Sequence, residues 1–130
     1  MSFKGDTQKF KKKAMKAATL VIRGTALDLS ASIIRRTPVQ TGRLRGNWQT
    51  ELNSLASGEV TTTPAAAIAR NKGAIGKAKI ADSIYLVNNL PYAPVVERGN
   101  WSKQAPAGMV RVTINAFKRI VQKNARRAKR

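Results

Sequence analysis

Hydrophobic positions fall in three regimes along the chain. From Gln8 to Arg36 they recur at helical spacing. Met15, Ala18, Ile22, Ala26, Leu29 and Ile33 share one face, three and four residues apart. Leu20, Leu27, Ala31 and Ile34 form a second apolar stripe on nearly the opposite side. The pattern predicts one long helix with two apolar sides. Such a helix is either central to its own domain or packs one side on a neighbouring subunit. Thr37-Pro38 closes it, because a proline ring clashes with a continuing helix and restricts the residue before it. Thr41-Gly42 is a second break.

The middle regime reads as short strands and turns. Strands are expected at about Trp48–Leu55, at Glu59–Thr63 after the Ser57-Gly58 turn, and at Ser83–Asn89. Residues Ala65–Ala81 are alanine-rich. They predict either a weak helix broken near Gly73 and Gly76 or a mobile arm. Pro91 ends the last strand, and Tyr92–Arg98 is long enough for one or two helical turns before Gly99. Residues Asn100–Ala107 read as a loop. The third regime is a helix from about Gly108 into the C-terminus, with Met109, Val112, Ala116 and Ile120 on one face and Phe117 and Val121 beside them. The class is α+β: long N-terminal and C-terminal helices packed on a small antiparallel sheet, with a short helix after the last strand. At 130 residues the chain is expected to be one domain, with basic tails at 1–13 and 123–130.

Composition changes this picture in two ways. Aromatics are only 5% of residues, so the core is modest and made partly of small side chains. Both tyrosines, one of two tryptophans and three of five prolines lie between Ser83 and Val112, which marks that segment as the place where geometry is held rigid. Charge matters more. Lys and Arg number 25 against six acids, for a net charge of +19. Such a balance opposes a compact monomer and favours polyanions or acidic protein surfaces. Lys9, Lys11, Lys12, Lys13 and Lys16 crowd the start of the first helix, where they oppose its dipole, so this end is expected to fray without an anionic partner. Lys123, Arg126, Arg127, Lys129 and Arg130 crowd the end of the last helix, where the dipole favours them. These ten residues are the candidate contacts with an acidic partner or DNA.

Chemistry is sparse. The chain has no cysteine and no histidine, which excludes disulfides, thiolate metal sites and triads of the Ser-His-Asp or Cys-His kind. Neither a cofactor nor a metal is expected, and no catalytic residues are assigned. Asp82 and Glu97 are candidate carboxylates with nothing that forces them together. Glu97 reads either as a solvated acid or as half of a buried or interfacial ion pair with a Lys or Arg of a neighbour. No glycine-rich phosphate loop, zinc finger or helix-turn-helix spacing is present. Trp48 and Trp101 read as core or interface residues, or as stacking platforms beside Arg43, Arg45 and Lys103. No run of about 18 apolar residues stands out as a membrane span, so a soluble, cytoplasmic product is expected.

Three stretches carry a resemblance: RRTPVQTGRLRGNW (Arg35–Trp48), IYLVNNLPYAPVVERG (Ile84–Gly99) and WSKQAPAGMVR (Trp101–Arg111). Together they resemble the neck or head–tail connector proteins of tailed double-stranded-DNA bacteriophages, the group called tail-completion or minor tail proteins. The likeness spans roughly Ala14–Ala125 and is weakest over Ala65–Ala81. It implies a non-enzymatic virion protein that assembles as a ring, six-fold in preference to twelve-fold. The ring would join the portal or adaptor of the DNA-filled head to the tail tube or terminator. The expected location is the virion neck, with assembly in the host cytoplasm. The family pattern marks Thr37, Pro38, Thr41, Gly42 and Leu44 as the hinge after the first helix. It marks Asn89, Pro91, Tyr92, Ala93 and Glu97 as the strand-to-helix corner, and Pro106, Gly108 and Met109 as the final turn. Pro38, Gly42, Leu44, Trp48, Pro91, Tyr92, Glu97, Trp101, Pro106 and Met109 are the expected ring-interface residues. The competing expectation is a sequence-independent nucleic-acid-binding protein that grips phosphates with its basic termini.

Overall fold

The computed structural model describes residues 3–39, 42–99, 102–105 and 107–129. The expectations placed on Thr41, Trp101, Pro106 and Arg130 lie outside the described residues. The fold is α+β. A long helix α1 (Phe3–Arg36) is followed by a single turn α2 (Arg43–Gly46), strand β1 (Trp48–Leu52) and helix α3 (Pro64–Ile75). Strand β2 (Ile84–Asn88), short helices α4 (Ala93–Glu97) and α5 (Val110–Ile114), and helix α6 (Phe117–Ala128) complete it. The two strands are antiparallel, with Trp48 opposite Asn88, Thr50 opposite Leu86 and Leu52 opposite Ile84.

Helix α1 is 34 residues long, about 51 Å at the usual rise. It begins at Phe3, not Gln8, so residues 3–13, expected to be part of a basic tail, are helical. Asp6 in its first turn partly offsets the lysines there. The C-terminal basic residues are likewise helical through Ala128. An 18-residue window of helix α1, with a mean hydropathy of 1.4, is also apolar enough to cross a membrane by length and composition, which corrects the expectation that no such segment exists. The average conceals two charges inside that stretch, and both are engaged. Arg23 Nε donates to the Ala78 carbonyl at 2.7 Å, and Asp28 accepts from Lys123 at 3.1 Å and Asn124 at 2.9 Å.

Four further sequence expectations are corrected. Strand β1 stops at Leu52 because Asn53 turns left-handed (φ 65°) and closes the corner with its side chain on Asp82 and Ser83. Residues 59–63 form no strand. The outer edge of β1 is already taken by α3, whose Arg70 and Asn71 side chains donate to the Trp48 carbonyl at 3.1 and 2.9 Å. The Val60 amide instead donates to Asn47 Oδ1 at 2.8 Å. Helix α3 runs unbroken through Gly73 to a cap at Gly76, started by Pro64 in its first turn and by Thr63, whose hydroxyl accepts from the Ala66 amide. Gly73 faces open space, so it costs propensity without forcing a break. The last helix is two helices. The β-branched run Val110–Ile114 is a poor helix, and the chain tightens at Asn115–Ala116, where Ala116 donates to the Thr113 carbonyl at 3.0 Å. That turn sends α6 back along α1.

The main core lies at one end of the sheet. Ile33, Ile34, Leu44, Trp48, Leu90, Ala93, Val96, Ala105 and Met109 are buried together, with Leu86, Tyr92 and Val110 packed against them. Helices α1 and α6 meet closely at Gly24, where any Cβ would collide with Asn124.

Candidate assembly and polyanion surfaces

The hinge after α1 is built from its side chains. Thr37 Oγ1 donates to the Ile33 carbonyl at 2.7 Å and accepts the Trp48 indole N–H at 2.8 Å. Arg45 reaches back across the helix end and donates to the carbonyls of Thr37 and Arg35 at 2.7 and 2.8 Å. A cation on terminal carbonyls agrees with the helix dipole. Gln104 bonds both the amide and the carbonyl of Val39, which ties the 102–105 loop to the hinge.

Glu97 organises the second corner. Its carboxylate accepts the backbone amides of Met109, Val110 and Arg111 at 2.8, 2.7 and 2.9 Å. Arg111 in turn donates to the Glu97 carbonyl at 2.5 Å. Glu97 therefore caps the start of α5 from outside its own element. This is not the solvated acid that the sequence offered as one reading. Burial opposes ionisation, but the three amides and the Arg111 charge outweigh it and hold the carboxyl below its ordinary range. Gly108, at φ 93°, passes so close that a Cβ would strike the Glu97 carbonyl. Asp82 is far from this work. It is held low by Asn53 and the Lys79 amide in the loop before β2.

Several expected ring-interface residues turn out to be internal. Leu44, Trp48 and Met109 are buried in the protomer's own core, and Gly42 is buried in its left-handed turn (φ 83°) against Pro64. In this chain they hold the fold's own shape. Pro38, Tyr92 and Glu97 are half-buried, and Pro91 is exposed. Of the basic residues, Lys9, Lys11, Lys12, Lys13, Lys16, Arg126, Arg127 and Lys129 are exposed, whereas Lys123 is paired with Asp28.

What the sequence did not show is where the core stays open. At the end of the sheet away from Trp48, a groove of about 420 Å³ runs between α6 and the sheet along α1. Ile22, Ala26 and Leu29 of the first apolar stripe form its floor, with Ile84 and Leu86 on one wall and Phe117 and Val121 on the other. The hydroxyls of Thr25 and Thr50 are buried at this groove without a hydrogen-bond partner. The strand beside it is also uncovered. The Asn53 amide donates to the Ser83 carbonyl, so the ladder register turns the backbone groups of Ile84 and Leu86 to the outer edge. No third strand joins the sheet among the described residues.

The two basic helix ends converge. A surface cleft lined by Phe10, Lys13, Lys16 and Leu20 of α1 also includes Ala128 and Lys129 of α6. Helix α6 reaches only that far, so the first turns of α1 project beyond it with Phe10 and Met15 exposed. Among the described residues no cluster of acids could hold a metal. Comparison with family models, with curated proteins and with solved structures finds no match to this chain.

Proposed function

We propose that the chain is a non-enzymatic structural subunit of a phage neck, forming a ring between the portal or adaptor of the head and the tail, as a head–tail connector or tail completion protein. The observation that carries this reading is the open apolar groove beside an unpaired strand edge. A subunit built to stand alone would cover both, since exposed edges and apolar grooves invite association. A ring neighbour that laid a strand or helix there would bury the groove and give the Thr25 and Thr50 hydroxyls partners. The contact is heterologous and closes by rotation, six-fold in preference to twelve-fold. The charge of +19 keeps free subunits apart until an acidic neighbouring ring neutralises them. The three motif stretches that resemble neck proteins add to this reading.

Cryo-electron microscopy of the assembled particle tests it. The expected result is a ring of this chain on the axis between portal and tail. Density elsewhere in the particle, or none, overturns it. The second reading, a sequence-independent nucleic-acid-binding protein, draws on the convergence of the two basic helix ends.

A further inference from the structure

Between α1 and α6, on the side away from the apolar groove, lies a cleft of about 600 Å³. Arg35, Arg36, Arg119, Lys123 and Arg126 line it, with Asp28 as its one acid. Asp28 is already spent on Lys123 and Asn124. Burial works against its charge, but those bonds and the nearby cations hold it ionised below the ordinary carboxylate range. Arg36 is fixed by its Nε, which donates to Ser32 Oγ at 3.3 Å, and its two terminal nitrogens remain for a ligand. Arg35, Arg119 and Arg126 are exposed and form no ion pair among the described residues. The cleft is a standing excess of positive charge on two packed helices.

We propose that this cleft, and not the lysine-rich start of α1, is where the protein grips the phosphate backbone of duplex DNA. Three features favour phosphate diesters over an acidic protein face. Four of the five cations are arginines, whose planar forks match phosphate oxygens. Arg119, Lys123 and Arg126 stand at i, i+4 and i+7, a row of about 10 Å along α6. Successive phosphates of a strand lie farther apart than the rise of about 3.4 Å along the duplex axis, so the row is long enough to meet more than one of them. The remaining cations, Arg35 and Arg36, face that row across the cleft, so a backbone lying in it is contacted from both walls. The cleft carries no apolar anchor of the kind a protein interface centres on, because Ala31, Ala116 and Ile120 are its only apolar lining. By contrast, Lys9, Lys11 and Lys12 of α1 are point charges outside any cleft shared with α6, and the cleft that takes in Lys13 and Lys16 holds only lysines as cations.

The test is binding of a fluorescent random-sequence duplex by the full chain, measured across a salt series. The variant R35Q/R119Q/R126Q is expected to lose on the order of 100-fold in affinity near 0.1 M salt, and its log–log salt slope should flatten by about 2.7. K9Q/K11Q/K12Q removes the same charge from the start of α1 and is expected to lose less than about tenfold. If it loses as much as the cleft variant, the affinity follows net charge and the proposal falls. R35K/R119K/R126K keeps the charge and is expected to stay within about tenfold of the parent. A loss equal to that of the glutamine variant would mean that the charge of the cleft does not carry the affinity, and would also overturn it. Poly-L-glutamate at matched charge should displace the duplex poorly, and displacement as good as by unlabelled duplex would assign the cleft to an acidic protein. The ring reading is decided by position in the particle, so either idea can fail alone.

Discussion

The two ends of the small sheet are finished differently. At the Trp48 end the polar groups that the core encloses are answered, with Asn71 Oδ1 as the exception. Thr37 serves the helix end and the indole at once, Asn47 bridges Arg43 and Val60, and Glu97 takes three amides. At the Ile84 end the same sheet meets an open groove, two buried hydroxyls lack partners, and a strand edge is bare. A buried hydroxyl without a partner costs about 1–3 kcal/mol, so the open end is not the cheaper way to fold a monomer. One end of the sheet closes on the chain's own side chains, and the other leaves apolar surface and two hydroxyls unanswered.

The largest effects should come from breaking the finished end. Trp48→Ala removes the largest core side chain and leaves the Thr37 hydroxyl with only its bond to the Ile33 carbonyl, and should cost about 3–5 kcal/mol in urea unfolding. A loss below about 1 kcal/mol would mean that the corner is not where the stability resides. Next comes the α1–α6 seam. Gly24→Val forces Asn124 away from Asp28 and should cost about 1–3 kcal/mol by overpacking. Combining it with Asn124→Ala should recover part of that loss, because the two changes share one contact. If the double variant were additive, the close approach at Gly24 would not be the cause.

Glu97 gives a pH-dependent measure of the same end. Its folded-state carboxyl titrates below the unfolded one, so its stabilisation is full above the unfolded value near 4.3 and is lost as pH falls through the folded value. Glu97→Gln should cost about 1–2 kcal/mol at neutral pH, since charged acceptors make the stronger bonds. It should also flatten the acid side of the stability curve. An unchanged acid limb would assign that sensitivity to Asp28 or Asp82, which are also held low.

This contrast was only half legible in the sequence. The 3,4-spaced apolar residues of α1, the Thr37-Pro38 stop, the Pro91 strand end and the short helix before Gly99 follow from local rules, and the structure has them. The errors arise where tertiary contacts override those rules. Glu59–Thr63 has good strand composition, but α3 already occupies the edge that it would have joined. Gly73 looked like a breaker, but it sits on an exposed face where a glycine is merely tolerated. Glu97 was read among its sequence neighbours, although its partners lie 12 to 14 residues on. The surplus apolar stripe of α1 was visible, but its outcome was not. Whether Ile22, Ala26 and Leu29 meet a partner in the same chain depends on how far α6 stands from the sheet, and no local pattern encodes that distance.

The smallest expected effect is the most pointed. Thr25→Val has nearly the same shape and removes a hydroxyl that has no partner in the protomer. If the groove is closed in the protomer alone as in the assembly, the change should stabilise by about 1 kcal/mol, because a desolvation cost disappears without creating a cavity. If water enters the groove freely, the hydroxyl is already served and unfolding should shift by less than about 0.5 kcal/mol. Incorporation into particles separates the two ends of the molecule. A neighbour that bonds to Thr25 would be weakened by valine even as the free protomer gains stability. Raised stability with reduced incorporation would therefore tie the open end to assembly. Raised stability with full incorporation would leave the groove as an unfilled gap in the protomer, and the contrast between the two ends would lose its functional meaning.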